Sequence, residues 1–398
     1  MTLREKLNPY STLIALIALM LGFEMLGRVF SFDVKEVYAE YIANESSWAD
    51  LSETIRESLF NTDLAFLNSR NLTNLTLQVA INGILAVGMT LIIITGGIDL
   101  SVGSVVAFTG IVLGLTNLHF PDQGFVLAFL VTILSGAMVG AFNGTLISRF
   151  KIPPFVITLG MLVIARGLAL IFSNSTAISP MPEQIRFLGS GFLPGWIALL
   201  TLLALLGLFL GQQTIIKKQK PDFIRISFVL ITGLPLCTAF LLDRGLPFPI
   251  VALTAVAALG VFISQKTVFG RSIYAIGGNE RASVLSGIKV GKVKFWVYTI
   301  MGALAALAGI ILAGRLNSAT PTEGQLMELD AIASVVIGGT SLQGGIGTIQ
   351  GAIIGAFIIG ALNNGMDMLE ISSNWQMVTK GLIIIFAVYS DARLQKKG

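Results

Sequence analysis

The chain has 398 residues, of which 54% are hydrophobic and 12% are charged. Soluble domains carry about 25% charged residues, so this composition excludes an ordinary soluble enzyme and indicates a protein that crosses the membrane several times. The net charge of +4 does not indicate nucleic-acid binding, because the basic residues lie in short loops between apolar segments. The chain contains one cysteine and one histidine, so we expect no disulfide, no metal site and no cofactor.

Apolar segments of the length that crosses a bilayer, about 20 residues, recur along the whole chain. They predict an all-α polytopic membrane protein, a single transmembrane domain over residues 1–398, with about 10–12 transmembrane or re-entrant helices surrounded by membrane lipid. Two shorter apolar segments, 101–117 and 329–343, either cross the bilayer or are re-entrant. The predicted spans are 10–30, 72–94, 124–147, 153–173, 193–213, 226–242, 247–264, 295–314, 346–364 and 375–390.

The basic residues predict the orientation of the spans, because cytoplasmic loops carry the excess of lysine and arginine. If both short segments cross, every basic cluster falls in the cytoplasm together with both chain termini; if only one crosses, this agreement is lost. An arrangement in which both are re-entrant stays open. The acidic segment 31–68 is then external, where we interpret it as a solvated loop or surface helix, with a docking element as the alternative. The basic clusters are 149–151, 217–225, 266–294 and 393–397.

The first Gly-rich motif places a carboxylate where hydrocarbon is expected to surround the chain. It reads Thr95-Gly96-Gly97-Ile98-Asp99-Leu100-Ser101-Val102-Gly103-Ser104. An unpaired charge at membrane depth costs about 3 kcal/mol on insertion scales, and a broken helix at that depth is tolerated only inside protein or beside water. Asp99 is therefore predicted either to line a translocation path or its gate, or to fix a bend by binding the backbone N–H groups of its own segment.

A second Gly-rich motif, Gly338-Gly339-Thr340-Ser341-Leu342, resembles Gly96-Gly97-Ile98-Asp99-Leu100. Paired helix breaks in the two halves of a transporter mark its transport path, so the motifs predict two broken-helix segments. The alternative is chance, since the chain contains 43 glycines. Small residues at four-residue spacing predict close packing of helices, within the subunit or between subunits. They are Gly136, Gly140 and Gly144, and Gly347, Gly351 and Gly355.

The loop 265–294 is the longest predicted cytoplasmic loop, and it carries signals for a short helix. Asn279 is a good N-cap, and Gly287 is the usual residue just past a helix end. We predict a docking helix over 280–286, with a connecting loop of one helical turn as the alternative. Its apolar side chains are expected to pack, and its basic ones to face water or an acidic partner. They are Val284, Leu285 and Ile288, and Arg281 and Lys289.

The sequence contains no motif for nucleotide binding or hydrolysis: it has no P-loop, no His-Glu-x-x-His pair and no nucleophile elbow. We therefore expect a chain that is not an enzyme, and uphill transport needs a separate nucleotide-binding subunit. The alternatives are an ion-coupled secondary carrier that acts without an ATPase, and a channel or membrane scaffold.

Five stretches in this order resemble the permease subunits of bacterial monosaccharide ATP-binding-cassette importers of the ribose/xylose type. The resemblance covers about residues 68–391, and the extra span and hydrophilic link at 193–225 look most like the xylose permeases. The stretches are residues 95–104, Ile152-Pro153-Pro154-Phe155-Val156-Ile157-Thr158-Leu159-Gly160, Tyr274-Ala275-Ile276-Gly277-Gly278-Asn279, Leu285-Ser286-Gly287-Ile288, and the run from Glu328 to Leu342.

The resemblance implies a permease of the bacterial inner membrane that forms a homodimer or a close heterodimer. It receives a monosaccharide, xylose or a related pentose or hexose, from an extracytoplasmic binding protein, and an ATPase docks on its cytoplasmic loop. The family commonly carries Glu-Ala-Ala-Arg where this chain has Arg281-Ala282-Ser283-Val284, which puts in question any ion pair that the two end positions make to the ATPase. The coupling motif falls on Gly277, Gly278, Asn279, Glu280, Arg281, Ala282, Gly287 and Ile288.

A path that must release a neutral sugar holds it weakly, so we expect few polar side chains along it. Hydrogen bonds between helices are the alternative role of the asparagines, and Asp330 is interpreted as capping its short helix. The predicted path residues are Asp99, Ser101, Asn143, Thr340, Asn363 and Asn364. The predicted hinges are Gly96, Gly97, Gly103, Gly338 and Gly339.

Overall fold

The computed structural model describes residues 11–30, 66–121, 124–200, 203 and 223–395. The predicted acidic segment 31–68 and the predicted span 193–213 lie largely outside these residues. Within the described ranges nearly all regular structure is helical, and the one pair of strands joins β1 (Phe192–Leu193) to β2 (Leu246–Pro247) antiparallel.

The helices are named in chain order. The first six are α1 (Ser11–Phe30), α2 (Ser69–Ile94), α3 (Val102–His119), α4 (Gly124–Phe150), α5 (Pro154–Phe172) and α6 (Glu183–Ser190). The next four are α7 (Phe223–Leu242), α8 (Phe248–Lys266), α9 (Val268–Gly278) and α10 (Glu280–Leu285). The last four are α11 (Val290–Leu316), α12 (Met327–Ile337), α13 (Ile349–Met368) and α14 (Ser373–Gln395).

Among the described residues, 7 helices are long and apolar enough to cross a membrane: α2, α3, α4, α5, α8, α11 and α13. α1, α7 and α14 coincide with three further predicted spans. The prediction of an all-α polytopic membrane protein is confirmed, and the chain is a multi-pass membrane protein.

The two short apolar segments differ in structure. α3 covers the first of them with 18 residues. α12 covers only part of the second, and its 11 residues extend about 17 Å at about 1.5 Å per residue, against about 30 Å of hydrocarbon. α12 is therefore too short to cross a bilayer as a helix, and the non-helical residues 338–348 continue the segment.

The faces of α4 show how apolar and small residues divide between lipid and protein. Large apolar side chains at four-residue spacing are exposed and suit contact with lipid: Val126, Leu130, Leu134, Met138 and Phe142. The glycines of the predicted seam lie against α11, where a Cβ on any of them would overlap main-chain atoms. The pairs are Gly136 with Gly302, Gly140 with Tyr298, and Gly144 with Phe295. The predicted packing seam is confirmed here, and it lies within one subunit.

The second predicted glycine seam is only partly helical. Gly351 and Gly355 lie on α13 and pack against Gly338 and Ser334 at the end of α12. Gly347 precedes the start of α13 at Ile349. The prediction of a three-glycine helix face is therefore wrong at Gly347, because the non-helical stretch extends that far.

The described residues fall into two compact units. The first takes its residues from 1–75, 194–245 and 360–378, and the second from 76–193, 246–359 and 379–398. In the first unit the Phe23 and Phe66 rings stack with centroids 5.6 Å apart. In the second unit α11 packs along α4, α3 and α6. The single domain over residues 1–398 stays a prediction.

Candidate functional site

The first break is the non-helical stretch 95–101 between α2 and α3. α2 ends in a Schellman motif, in which Gly96 N donates to Ile93 O at 2.9 Å and Gly97 N donates to Ile92 O at 3.1 Å. The φ of Gly96 is +76°, a left-handed conformation that glycine adopts without steric cost. Gly96 therefore ends α2 and turns the chain away from the helix axis.

The second break is the non-helical stretch 338–348 between α12 and α13. It opens with the same cap: Gly339 N donates to Val336 O at 2.9 Å, and Thr340 N donates to Val335 O at 3.1 Å. The φ of Gly339 is +87°. Gly339 thus takes the place of Gly96, and both predicted helix breaks are present.

The caps align the two breaks one residue away from the register that the sequence motifs predict. Gly338 has the right-handed φ of −67°, so it corresponds to Thr95 and not to the first glycine of the other motif. Counted from the caps, the residue of the second break that corresponds to Asp99 is Leu342. Neither register puts a carboxylate of the second break at the position of Asp99, and the motif similarity reflects the shared cap.

Three of the predicted path residues meet at the first break. Asp99 Oδ1 accepts hydrogen bonds from Ser101 N at 2.8 Å and from Ser101 Oγ at 2.6 Å. Asn143 Nδ2 on α4 donates to Ser101 Oγ at 3.3 Å. Asp99 is 3% exposed. The bend-fixing contact of Asp99 with its own segment is thus present, and a chain of polar side chains continues from it into α4.

Tyr298 on α11 completes this polar set, and sequence reasoning missed it. Its side chain is 1% exposed, and its hydroxyl lies 2.5 Å from where a Cβ on Gly97 would stand. The signal in the sequence was weak, because a lone tyrosine in an apolar span is common. We call Asp99, Ser101, Asn143 and Tyr298 the Asp99 group.

Two buried polar atoms of the Asp99 group lack hydrogen bonds. Tyr298 Oη and Asn143 Oδ1 have no partner among the residues that the structure describes. Leaving a buried polar group unpaired costs about 1–3 kcal/mol, and few native groups are left so. The Asp99 group is therefore only partly hydrogen-bonded in this conformation.

The second break is held mainly by its backbone. Ser341 N donates to Ile346 O at 3.0 Å, which closes the stretch into a compact loop. Tyr274 Oη on α9 donates to Gly347 O at 2.8 Å, and partial burial raises the pKa of the Tyr274 phenol, which keeps it a donor. Thr340 is buried, and its Oγ1 has no partner within the described part of the chain.

The two breaks meet at a contact made of glycines, which we call the glycine junction (Gly96, Gly277, Gly344 and Gly345). Gly345 N donates to Ile94 O at 2.9 Å. A Cβ on Gly277 would overlap both Ile94 O and Gly345 N, and a Cβ on Gly344 would come within 3.0 Å of Gly96 N. The end of α9 is therefore in backbone contact with both breaks at once.

The predicted docking helix is present as α10, with the predicted caps. Asn279 Oδ1 accepts a hydrogen bond from Ala282 N at 2.9 Å, and Gly287 follows the helix with φ of +83°. The prediction that Val284 and Leu285 pack is wrong: they are 57% and 89% exposed, because α10 turns Ser283 inward instead. The loop also contains α9, which the sequence did not predict.

A charged anchor, missed from the sequence, lies where α3 and α12 begin. A Cβ on Gly103 would overlap Gly324 O and the Glu328 carboxylate, so the two helix starts are in contact. Arg166 Nη1 on α5 donates to Pro321 O at 2.6 Å and to Glu323 O at 2.7 Å. Arg166 thus holds the turn that leads into α12, and the available signal was an arginine inside an apolar span.

α12 is also tied to α14. Lys380 Nζ donates to Asp330 Oδ2 at 3.0 Å, and both side chains are largely buried. Asp330 lies in the first turn of α12. It therefore forms an ion pair between helices, and its capping role stays a prediction.

The remaining two predicted path residues belong to the first unit. Asn364 Nδ2 donates to Asn71 Oδ1 at 3.0 Å, and Asn71 Nδ2 donates back to Asn364 Oδ1 at 2.8 Å. This reciprocal pair joins α13 to α2, so the hydrogen-bonding alternative describes Asn364. Asn363 is its neighbour on α13, and its role in a path stays a prediction.

Comparison with known proteins identifies the family. A family model described as the permease component of the branched-chain amino acid transport system matches residues 71–388, so the chain belongs to this family. It is 38% identical to the xylose transport system permease protein XylH of Escherichia coli K12 over 85% of this chain and 88% of that one. It is 40% identical to the ribose import permease protein RbsC of Bacillus subtilis, over 83% and 87%. No solved structure matches it.

Proposed function

We propose that this permease-family chain is the membrane subunit of an ATP-binding-cassette importer for a monosaccharide, xylose or a related pentose or hexose. The observation that carries the proposal is its similarity to xylose and ribose permeases over most of both chains. The subunit itself catalyses no reaction, and a separate ATPase subunit hydrolyses the ATP.

The Asp99 group supports a solute path at the first break. It is enclosed by spanning helices and offers a carboxylate, hydroxyls and an amide to a solute that is rich in hydroxyl groups. Ser101 and Asn143 are already bonded to one another, so few groups are left to hold the sugar, and it can be released. Thr340, Asn363 and Asn364 stay predictions as path residues.

The glycine junction supports the route by which the ATPase moves the path. The basic residues of its loop favour a cytoplasmic position for α10. There Val284 and Leu285 give the ATPase an exposed apolar surface. A displacement of α10 passes through Gly277 to Ile94 and Gly345, and thereby to both breaks, because no side chain lies between these backbones to absorb it.

Three further partners follow from this function. The first is a second permease copy, which completes the path. The second is the lipid of the inner membrane, which contacts the exposed apolar faces. An extracytoplasmic binding protein delivers the sugar and sets most of the selectivity, because the path itself offers few polar groups.

The test is uptake in proteoliposomes that contain this chain, its ATPase and its binding protein. We expect uptake of radiolabelled xylose or ribose only when ATP is inside and the loaded binding protein is outside. The matched control contains the permease chain alone under a proton or sodium gradient. Uptake in that control, with no ATP requirement in the full system, would show an ion-coupled carrier and refute the proposal.

The sugar is identified separately, with the binding protein. A thermal-shift screen over pentoses, hexoses and polyols should show one monosaccharide that raises its melting temperature most. A screen in which only amino acids stabilise it would contradict the monosaccharide class while leaving the importer architecture intact.

A further inference from the structure

The Tyr298 hydroxyl can donate a hydrogen bond, but in this conformation it has no acceptor among the described residues. It is buried, it faces the first break, and it has no partner among the residues described. Both hydrogen bonds that Asp99 accepts within the described ranges end on Oδ1. The second carboxylate oxygen is therefore open to another donor, and the Tyr298 hydroxyl lies at the same break, beside Gly97.

We propose that Tyr298 is a positioning residue that donates a hydrogen bond to Asp99 Oδ2 in the alternate conformation of the first break. The bond is open in the conformation seen here and closes when the break shifts during transport. The inference rests on the proposed function, since it assigns a step within the transport cycle to the Asp99 group.

The fixed partner in this bond is Tyr298. Its main-chain carbonyl packs against Gly140, where a Cβ would overlap it, so α11 is held on α4 at this level. The movable partner is the first break, because Gly97 lies directly beside the hydroxyl and has no side chain to obstruct a shift.

A second unpaired atom supports two arrangements of the same group. Asn143 Oδ1 is buried and has no partner in the described part of the chain, although its own Nδ2 binds Ser101. A network with two open positions at one site is costly unless another arrangement completes it. The Asp99 group thus exchanges hydrogen-bond partners as the break moves.

The test compares Tyr298→Phe with Tyr274→Phe in the complete, reconstituted importer. Both changes remove one hydroxyl, but that of Tyr274 is bonded to Gly347 here. We expect Tyr298→Phe to lower the maximal uptake rate about fivefold, with an unchanged KM for the sugar-loaded binding protein and no loss of melting temperature. Tyr274→Phe should lower the melting temperature instead.

A double-variant cycle ties the effect to Asp99. In an Asp99→Asn background, Tyr298→Phe should cause no further loss of uptake. Three results would overturn the inference: unchanged uptake by Tyr298→Phe, a raised KM at an unchanged maximal rate, or fully additive losses in the double variant. A raised KM would mean that the hydroxyl contacts the sugar. If the unaltered complex does not transport sugar, the proposed function itself is wrong. If the unaltered complex transports sugar and one of these three results is found, only the inference about Tyr298 is wrong.

Discussion

The two breaks open with the same helix cap and are then stabilised in different ways. The first break is organised by side chains, with Asp99 bound to Ser101 and Ser101 bound to Asn143. The second is organised by main-chain bonds, such as Ser341 N to Ile346 O, and by glycines at the glycine junction. Equivalent backbone geometry therefore supports a polar group in one half of the chain and a mechanical contact in the other.

This difference separates two requirements of a transporter. A group that meets solute needs polar side chains whose partners can change, whereas a contact that transmits motion needs stiffness and close approach. The first break fits the first requirement, and the second break, through Gly345 and Gly277, fits the other. The variants below test this division.

The largest effect is expected at Gly277, where the division predicts that added bulk uncouples both breaks from α10. Gly277→Ala places a methyl group onto Ile94 O and Gly345 N, and overpacking of this kind costs about 1–3 kcal/mol or more. ATP-driven uptake should fall at least about tenfold. The assay is sugar uptake together with ATP hydrolysis in proteoliposomes.

Gly278→Ala is the matched control, because a Cβ there meets nothing within 4 Å. It should transport like the unaltered protein. Equal losses in the two variants would mean that the loop needs flexibility in general, and the glycine junction would lose its role.

The next effect is expected at Asp99, where the division predicts sensitivity to side-chain chemistry. Asp99→Asn keeps an oxygen that can accept from Ser101 but removes the charge, and hydrogen bonds to charged groups are worth about 1.5–3 kcal/mol. Coupled uptake should fall about five- to tenfold, while dimer assembly, measured by light scattering in detergent, stays intact.

Thr340→Val makes the comparison in the second break, where the removed hydroxyl has no partner within the described ranges. Its uptake should change less than twofold. An equal loss in both variants would place Thr340 on the path and would remove the division between the breaks.

The last comparison concerns stability and is made where the breaks are alike. Gly96→Ala and Gly339→Ala each put a side chain on a left-handed residue, and a Cβ meets only Gln343 O at 3.9 Å in the first case and nothing within 4 Å in the second. Each should lower the free energy of unfolding by about 1–2 kcal/mol. Chemical denaturation in detergent measures this, and a clear inequality between the two would contradict the shared cap.

Local signals in the sequence predicted the local features of the fold. The lengths of the apolar segments predicted most of the spans. The caps of α10 were predicted from Asn279 and Gly287, because these residue types strongly prefer the ends of helices. The Gly-rich motifs located both breaks. The alignment of one motif with the other was wrong by one residue, because residue types alone do not show which glycine of each pair has the positive φ.

The features that were missed depend on residues far apart in the chain. The Tyr298 hydroxyl matters only because α11 passes beside Gly97, and Gly277 matters only because Ile94 and Gly345 meet it. Val284 and Leu285 were expected to pack because they are apolar, yet the residue that α10 buries is Ser283. Such contacts arise from tertiary packing, which one sequence without its fold does not specify.

The anchor at Arg166 has a consequence for how the protein is made. An arginine near the centre of a spanning helix costs about 2.5–3.5 kcal/mol at insertion, and the carbonyls that Arg166 binds lie 155 and 157 residues later. α5 therefore leaves the translocon before its guanidinium has these acceptors. The hydrogen bonds of Arg166 can form only after residue 323 has been synthesised. The packing of α5 is therefore completed late, although α5 is made early.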